Sequence, residues 1–332
     1  MSEFDTNLAS FSRLLEDAKT VLVLQPEKPD SDSLCSSLIL EHLIGNLDKT
    51  VVLYSQDALP PYINYFSGAD RLDPIFPKQF DLTILVDCGS SSQIMRTLDK
   101  HQGRLASKPF VIIDHHAART AMPFATLNLI KSEVSSTGEL LVQIADALSW
   151  KLNVEIASLV IPSIMADTLG LTTPSVTADT IETVAKMVRF GANLSQLNQA
   201  RLEAGAMDSD ILSLKGKILQ AVTYHCDGRL AIVTIDPADL KEYSKRYDPS
   251  ALVIFDMQHV RGVEIAVVIR NYAPKLKLSL RSNRPLAAAV AAAFDGGGHP
   301  QAAGANVESG NVDDVVAKVI AVTTEILANA AA

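Results

Sequence analysis

Short apolar runs rich in β-branched residues alternate with helix-like segments through the first half of the chain. Thr20–Leu24 (TVLVL), Thr50–Tyr54 (TVVLY), Asp81–Val86 (DLTILV) and Pro109–Ile113 (PFVII) read as strands, and Leu34–Leu47, Ser136–Leu148, 153–170 and 177–191 as helices. Strands that are apolar at nearly every position belong to a parallel sheet covered by helices on both faces. Residues 192–225 are polar, helix-forming and free of strand runs, which suits a helical connector. Beyond Asp227-Gly228 a second series of apolar runs begins, Leu230–Ile235, Ala251–Met257, Val263–Arg270 and Lys275–Leu280. A helix over Leu286–Phe294, a glycine cluster and a last helix over Val312–Ala328 complete it. The expectation is an α/β protein. A parallel-sheet domain spans 1–191, a helical connector 192–225, and a smaller α/β domain 226–332.

Composition narrows the class. The 332 residues are 48% hydrophobic and 20% charged. No apolar run approaches the roughly 18 residues that a membrane helix needs. The N-terminal stretch lacks the basic start, apolar middle and cleavage site of a secretory signal, so a cytoplasmic location is expected. Cys35, Cys88 and Cys226 are widely spaced and form no CxxC pair, which encodes neither a disulfide framework nor a zinc site. With 29 Lys+Arg against 38 Asp+Glu, the net charge is −9. Coating long nucleic acid by charge needs clustered cations and is disfavoured; a small phosphate ester in a local pocket is not. Aromatic residues are only 5%, with one tryptophan, Trp150, too few for an extended base-stacking track.

The placement of acidic residues carries the chemistry. Asp30 and Asp32 lie just beyond the first strand, Asp87 follows LTILV directly, and Asp114, His115 and His116 follow FVII. Asp167 ends an apolar helical run. One aspartate after a strand is ordinarily a turn residue or helix cap. A series of them at the carboxyl ends of parallel strands converges on the crevice where such sheets bind ligands. Clustered carboxylates repel and are costly to desolvate unless a cation sits among them. Oxygen ligands with one or two imidazoles suit Mn²⁺, with Mg²⁺ or Co²⁺ as alternatives, and a two-ion site can clamp both oxygens of a displacement at phosphorus.

PDSD (29–32), VDCGS (86–90), DHH (114–116) and ADTLG (166–170) resemble, in order, the four motifs of the DHH phosphoesterase superfamily. SSTGELL (135–141) resembles the segment before its fourth motif. LSLRS (278–282) and GGGHPQAAG (296–304) resemble the DHH-associated substrate domain, which separates the chain from family II inorganic pyrophosphatases. The resemblance implies two divalent ions held by Asp30, Asp32, Asp87, His115 and Asp167, with Asp87 between them. It implies His116 facing the scissile phosphate and Asp114 orienting the histidines. It further implies that Arg281, Ser282, Gly297, Gly298 and His299 bind substrate, glycines letting backbone N–H groups approach an anion. Arg119 is a weaker candidate, and His42, His101, His225 and His259 have no such setting.

One position departs from the pattern. Many members carry a metal-binding histidine four residues before the first aspartate; here it is Pro26, with Gln25 and Glu27 beside it. The functional expectation is a Mn²⁺-dependent phosphoesterase that hydrolyses short oligoribonucleotides, linear dinucleotides or pAp, without long duplex or membrane partners, and forming a homodimer. The alternatives, in order, are a cyclic di-AMP phosphodiesterase, a single-strand 5′→3′ exonuclease, and a nucleotide-binding protein whose catalysis has decayed.

Overall fold

The computed structural model describes residues 3–60, 62–116, 122–244, 246–308 and 310–329; of His299 it describes the backbone. The chain divides into two compact units, Met1–Ala206 and Met207–Ala332.

In the first unit, helix α1 (Glu3–Asp17) precedes β1 (Thr20–Leu24), α2 (Ser31–Gly45) and β2 (Thr50–Tyr54). Then come β3 (Leu82–Val86), α3 (Met95–Leu105), β4 (Phe110–Asp114) and β5 (Leu127–Ile130). Helices α4 (Thr137–Ala147), α5 (Val154–Asp167), α6 (Ala178–Arg189) and α7 (Leu194–Ala204) follow. The strands form a parallel sheet in the order β2-β1-β3-β4-β5. The strand period of two sorts side chains to opposite faces. Val21, Val23, Ile84, Val86, Val111 and Ile113 pack with α1, α2, α4 and α5. Leu22, Leu24, Leu85, Phe110 and Ile112 pack on the other face with Ile94, Leu98 and Leu105. Each fully buried aliphatic side chain contributes about 1.5–3 kcal/mol, and truncating one such as Ile84 to alanine would cost about 2–5 kcal/mol.

The connection order sets the site. The chain leaves β1 toward β2 on one side and then crosses to β3 on the other, so a crevice opens past the carboxyl ends of β1 and β3. At the start of α2, Asp30 is the N-cap, its carboxylate accepting from the Ser33 N–H at 3.0 Å.

The second unit holds α8 (Ser209–Gln220), β6 (Thr223–His225), β7 (Leu230–Ile235), α9 (Pro237–Tyr243) and α10 (Pro249–Gln258). It continues with β8 (Ile265–Tyr272), β9 (Lys275–Ser282), α11 (Ala287–Ala292), β10 (Gly297–His299), β11 (Ala302–Val307) and α12 (Val312–Asn329). Its sheet runs β10-β11-β9-β8-β7-β6, with β7 and β8 parallel and the other pairs antiparallel. Leu276, Leu278 and Leu280 of β9 face α11 and α12. Ala231, Val233, Ala266 and Val268 face α8, α9 and α10.

Two readings change. Ala251–Met257, grouped with the strand-like runs, lies inside helix α10. A short run such as ALVIF fits strand or buried helix equally, and the decisive signals are Asp248 as N-cap and Pro249 in the first turn. The connector region, read as helical and free of strand runs, ends in a short strand, β6, and the glycine cluster holds the edge strand β10.

Candidate active site

Asp32 is fully buried in the first turn of α2. Its Oδ1 accepts from Ser163 Oγ at 2.6 Å, Ser36 Oγ at 3.2 Å and the Gly138 N–H at 3.2 Å. Its Oδ2 accepts from the Thr137 N–H at 2.8 Å. The amino end of α4 thus aims backbone donors and its dipole at this carboxylate. Gly138 is required there, because a Cβ would overlap Ser163 Oγ and drive it off Asp32. Asp87, at the end of β3, has φ of 51°, a left-handed conformation that a short polar side chain tolerates. Its N–H still bonds the Ile113 carbonyl at 3.0 Å, while Oδ1 takes the Thr137 hydroxyl at 3.1 Å. One threonine therefore ties the carboxylates of Asp32 and Asp87 together through its backbone and its side chain.

His115 Nε2 completes the assembly. It lies 3.0 Å from Asp167 Oδ2, 3.6 Å from Asp87 Oδ1 and 3.8 Å from Asp32 Oδ2. His116 Nδ1 lies 2.7 Å from Asp114 Oδ1 and 3.7 Å from Asp87 Oδ1. The ligand atoms form two groups of metal-binding dimensions, Asp32–His115–Asp167 and Asp87–His115–His116. Asp30 stands outside both, as the cap of α2. Around the position of the absent histidine, Pro26 is buried and Gln25 accepts from Ser37 Oγ at 3.2 Å. Glu27 is held by Arg96 at 2.7 Å and the Thr97 N–H at 2.9 Å, so its carboxylate is committed elsewhere.

The electrostatics are those of crowded, buried carboxylates. Burial, reinforced by Asp167, pushes the Asp32 carboxyl up to about 6, against the pull of His115 and Ser163. Burial and then the repulsion of Asp32, Asp30 and Asp167 hold Asp87 well above the usual carboxylate range. Burial would lower His115, but Asp167 and Asp32 outweigh it and raise its pKa to about 9. His116 is raised chiefly by its bond to Asp114. A divalent cation fits these residues. His115 Nε2 is buried and makes no hydrogen bond of proper geometry while aimed at three carboxylates, which is how a ligand nitrogen stands.

In the second unit, the register aligns Gly297 with Gly304 and Ser279, and His299 with Ala302 and Arg281. Gly298 has φ of 143°, and a Cβ there would collide with the backbone of Ala302 and Ala303. Ser282 is buried, donating to the Arg284 carbonyl at 2.6 Å and accepting the Ala287 N–H at 3.1 Å, which fixes the start of α11. Arg281 is half-buried.

A model of the DHH family N-terminal domain matches residues 20–168, and one of the DHHA1 domain matches 236–325. The chain belongs to the DHH superfamily. It is 26% identical over 308 residues to the bifunctional oligoribonuclease and PAP phosphatase NrnA of Thermus thermophilus, covering 91% of this chain and 88% of that one. It is 21% identical to the NrnA of Bacillus subtilis, over 87% and 90% of the two chains. Its fold is similar to a crystallised exopolyphosphatase-related protein from Bacteroides fragilis, at TM-score 0.84 and 20% identity, over 98% and 99%. It is also similar to an exonuclease RecJ bound to manganese, at TM-score 0.56 and 14% identity, over 97% and 94%. As a DHH protein the chain is a hydrolase of phosphoesters.

Within this DHH domain, sequence reasoning found the acids but not the residues that hold them. Thr137, Gly138 and Ser163 lie 105 to 131 residues from Asp32. The available signal was the SSTGELL segment, whose Thr-Gly pair opens a helix. His42, His101, His225 and His259 belong to neither metal-type group among the described residues. Arg119 lies outside the described residues. No described helix is long and apolar enough to cross a membrane.

Proposed function

We propose that this DHH protein is a divalent-metal-dependent phosphoesterase of small nucleotide esters: short oligoribonucleotides, linear dinucleotides and adenosine 3′,5′-bisphosphate. The convergence of Asp32, Asp87, Asp167, His115 and His116 from four separate segments carries the reading. Asp32, Asp87, His115 and Asp167 would hold the ions, with Asp30 at the margin, and Mn²⁺ is the ion this mixed oxygen and imidazole set suits. When bound, the ions would supply an activated water and neutralise charge gathering on phosphorus.

The chain's own residues do the rest. Asp114 would accept a hydrogen bond from His116 Nδ1–H, which fixes the ring and leaves Nε2 for a phosphate or leaving-group oxygen. The Thr137 and Ser163 hydrogen bonds preorganise the carboxylates, so the reaction need not reorganise them. In the second unit, Arg281 and the backbone of Gly297, Gly298 and His299 would take a substrate phosphate, with Ser282 fixing the adjoining turn. The NrnA similarity over most of both chains supports the substrate class, and the low aromatic and acidic composition favours few nucleotides per substrate. A cytoplasmic location and a homodimer complete the proposal.

The test is hydrolysis by the purified chain, with Mn²⁺, Mg²⁺ or Co²⁺, of adenosine 3′,5′-bisphosphate, pApA, cyclic di-AMP, an RNA pentamer and a longer single strand. Turnover of the short linear esters is expected. Preference for the long strand or the cyclic dinucleotide would overturn the substrate class, and absence of turnover with every ion would overturn the enzyme.

A further inference from the structure

The helices α8, α9 and α10 cover only part of one face of the second unit's sheet. Their core contacts fall on β7 and β8, while on β9 the residues of that face, Lys277, Ser279 and Arg281, are exposed or half-buried. The paired positions on β11 are Asn306, Gly304 and Ala302, and on β10 Gly297. Strand pairing puts directly opposed residues on one face. The result is a shelf floored by small residues and bordered by cations. Lys277 and Arg281 have no carboxylate partner among the described residues, and the Arg281 guanidinium bonds only the Leu280 carbonyl, at 3.0 Å. Nearby acids are already matched: Asp248 by Arg270, Asp256 by Lys215, and Glu264 by Arg229 and Arg284. Arg270 reaches toward the same face, donating to Ser279 Oγ at 3.0 Å, and its buried Nε has no hydrogen-bond partner.

At the α10 border of this shelf stands Phe255. The residue is 53% exposed, and the Arg281 guanidinium carbon lies over its ring, 6.0 Å from the centroid. An exposed phenylalanine alone means little. An exposed aromatic residue beside an acid-free guanidinium presents two surfaces that complement a nucleoside phosphate: a plane for the base and a fork for the phosphate.

We propose that Phe255 is the base-stacking residue of the second unit, placing a nucleobase on its ring while Arg281 takes the adjoining phosphate. The inference rests on the phosphoesterase reading and adds a substrate-positioning residue that no motif contains. Stacking tolerates every base, because each has a π-face, but favours the larger purines. Phe255 therefore selects for nucleotides over other phosphate esters.

The test is steady-state hydrolysis by the full chain with Mn²⁺ of adenosine 3′,5′-bisphosphate and of its abasic analogue. F255A is expected to raise KM for the adenosine substrate about tenfold, with kcat altered less than about twofold. The penalty should shrink below about twofold on the abasic analogue. F255L, which keeps apolar bulk without a π-face, should resemble F255A, and F255W should restore the wild-type KM. The new indole of F255W should be quenched by adenosine 3′,5′-bisphosphate and not by the abasic analogue. Equal effects of F255A on both substrates, or full rescue by leucine, would overturn the assignment while leaving the enzyme reading intact. A wild-type chain that turns over neither substrate would overturn both.

Discussion

The two units handle charge in opposite ways. In the first, Asp32 and Asp87 are withdrawn from water, at 0 and 4% exposure, and wired to hydroxyls and backbone N–H groups from α4 and α5. In the second, Lys277 and Arg281 stay at the surface without carboxylate partners among the described residues. The acidic site is expensive to build and rigid, because carboxylates in a dry crevice repel unless their lone pairs are filled and a cation arrives. The basic shelf is cheap, because water solvates its charges until an anion displaces it. Chemistry at phosphorus requires the first arrangement, and reversible capture of a small anion needs only the second. Disturbing the first should therefore abolish turnover or folding, and disturbing the second should chiefly alter affinity.

The largest expected effect is at Asp87. D87N should lower kcat at least about a thousandfold, since it removes the β3-end carboxylate that His115, His116 and Thr137 surround. The same variant should melt higher than the wild type without metal, because a repelled buried carboxylate is replaced by a neutral amide of the same shape. Paired kinetics and melting curves check both signs; a metal-free D87N that melts lower would break the contrast drawn above. Next comes G138A, which pushes Ser163 from Asp32. Overpacking there should cost about 1–3 kcal/mol in urea unfolding and reduce kcat about 10- to 100-fold. R281A should raise KM about tenfold with little change in melting, as the loss of one charge-assisted phosphate contact implies.

The smallest effect is the pH dependence of metal-free stability. Asp32 is raised from 3.8 to about 6 and His115 from 6.5 to about 9. A group whose pKa is raised by folding binds more protons folded than unfolded, so stability is full below its unfolded pKa and declines as pH climbs through the folded one. Both groups act in the same direction. Calorimetry without metal should show the melting temperature falling by a few degrees between about pH 4 and 9. Saturating Mn²⁺ should flatten or reverse that slope, because the ion favours the deprotonated ligands. A metal-free slope of opposite sign would show that the carboxylates are ionised and paired by other means.

Much of the first unit was legible. β1 to β4 are regular apolar runs, and crevice acids follow three of them, β1, β3 and β4. Short or irregular elements were not. β5 has four residues on the sheet edge, and β10 is made largely of glycine, so neither carries a strand pattern. Ala251–Met257 was ambiguous by periodicity and was settled by its cap. In the site, Asp32, Asp87, His115, His116 and Asp167 could be read from position, whereas Thr137, Gly138 and Ser163 could not, because their importance lies in contacts across more than a hundred residues.

By itself the sequence determined which side chains end the strands, and hence that acids and imidazoles would meet at one end of a parallel sheet. That follows locally, from strand period and chain order. The tertiary structure alone decided which lone pairs are filled and which cations lack a counterion. It turned Thr137 into a tie between two carboxylates and brought the Arg281 guanidinium to within 6.0 Å of Phe255. Those outcomes depend on distances between segments remote in the chain, and on how much water each group loses when the segments pack.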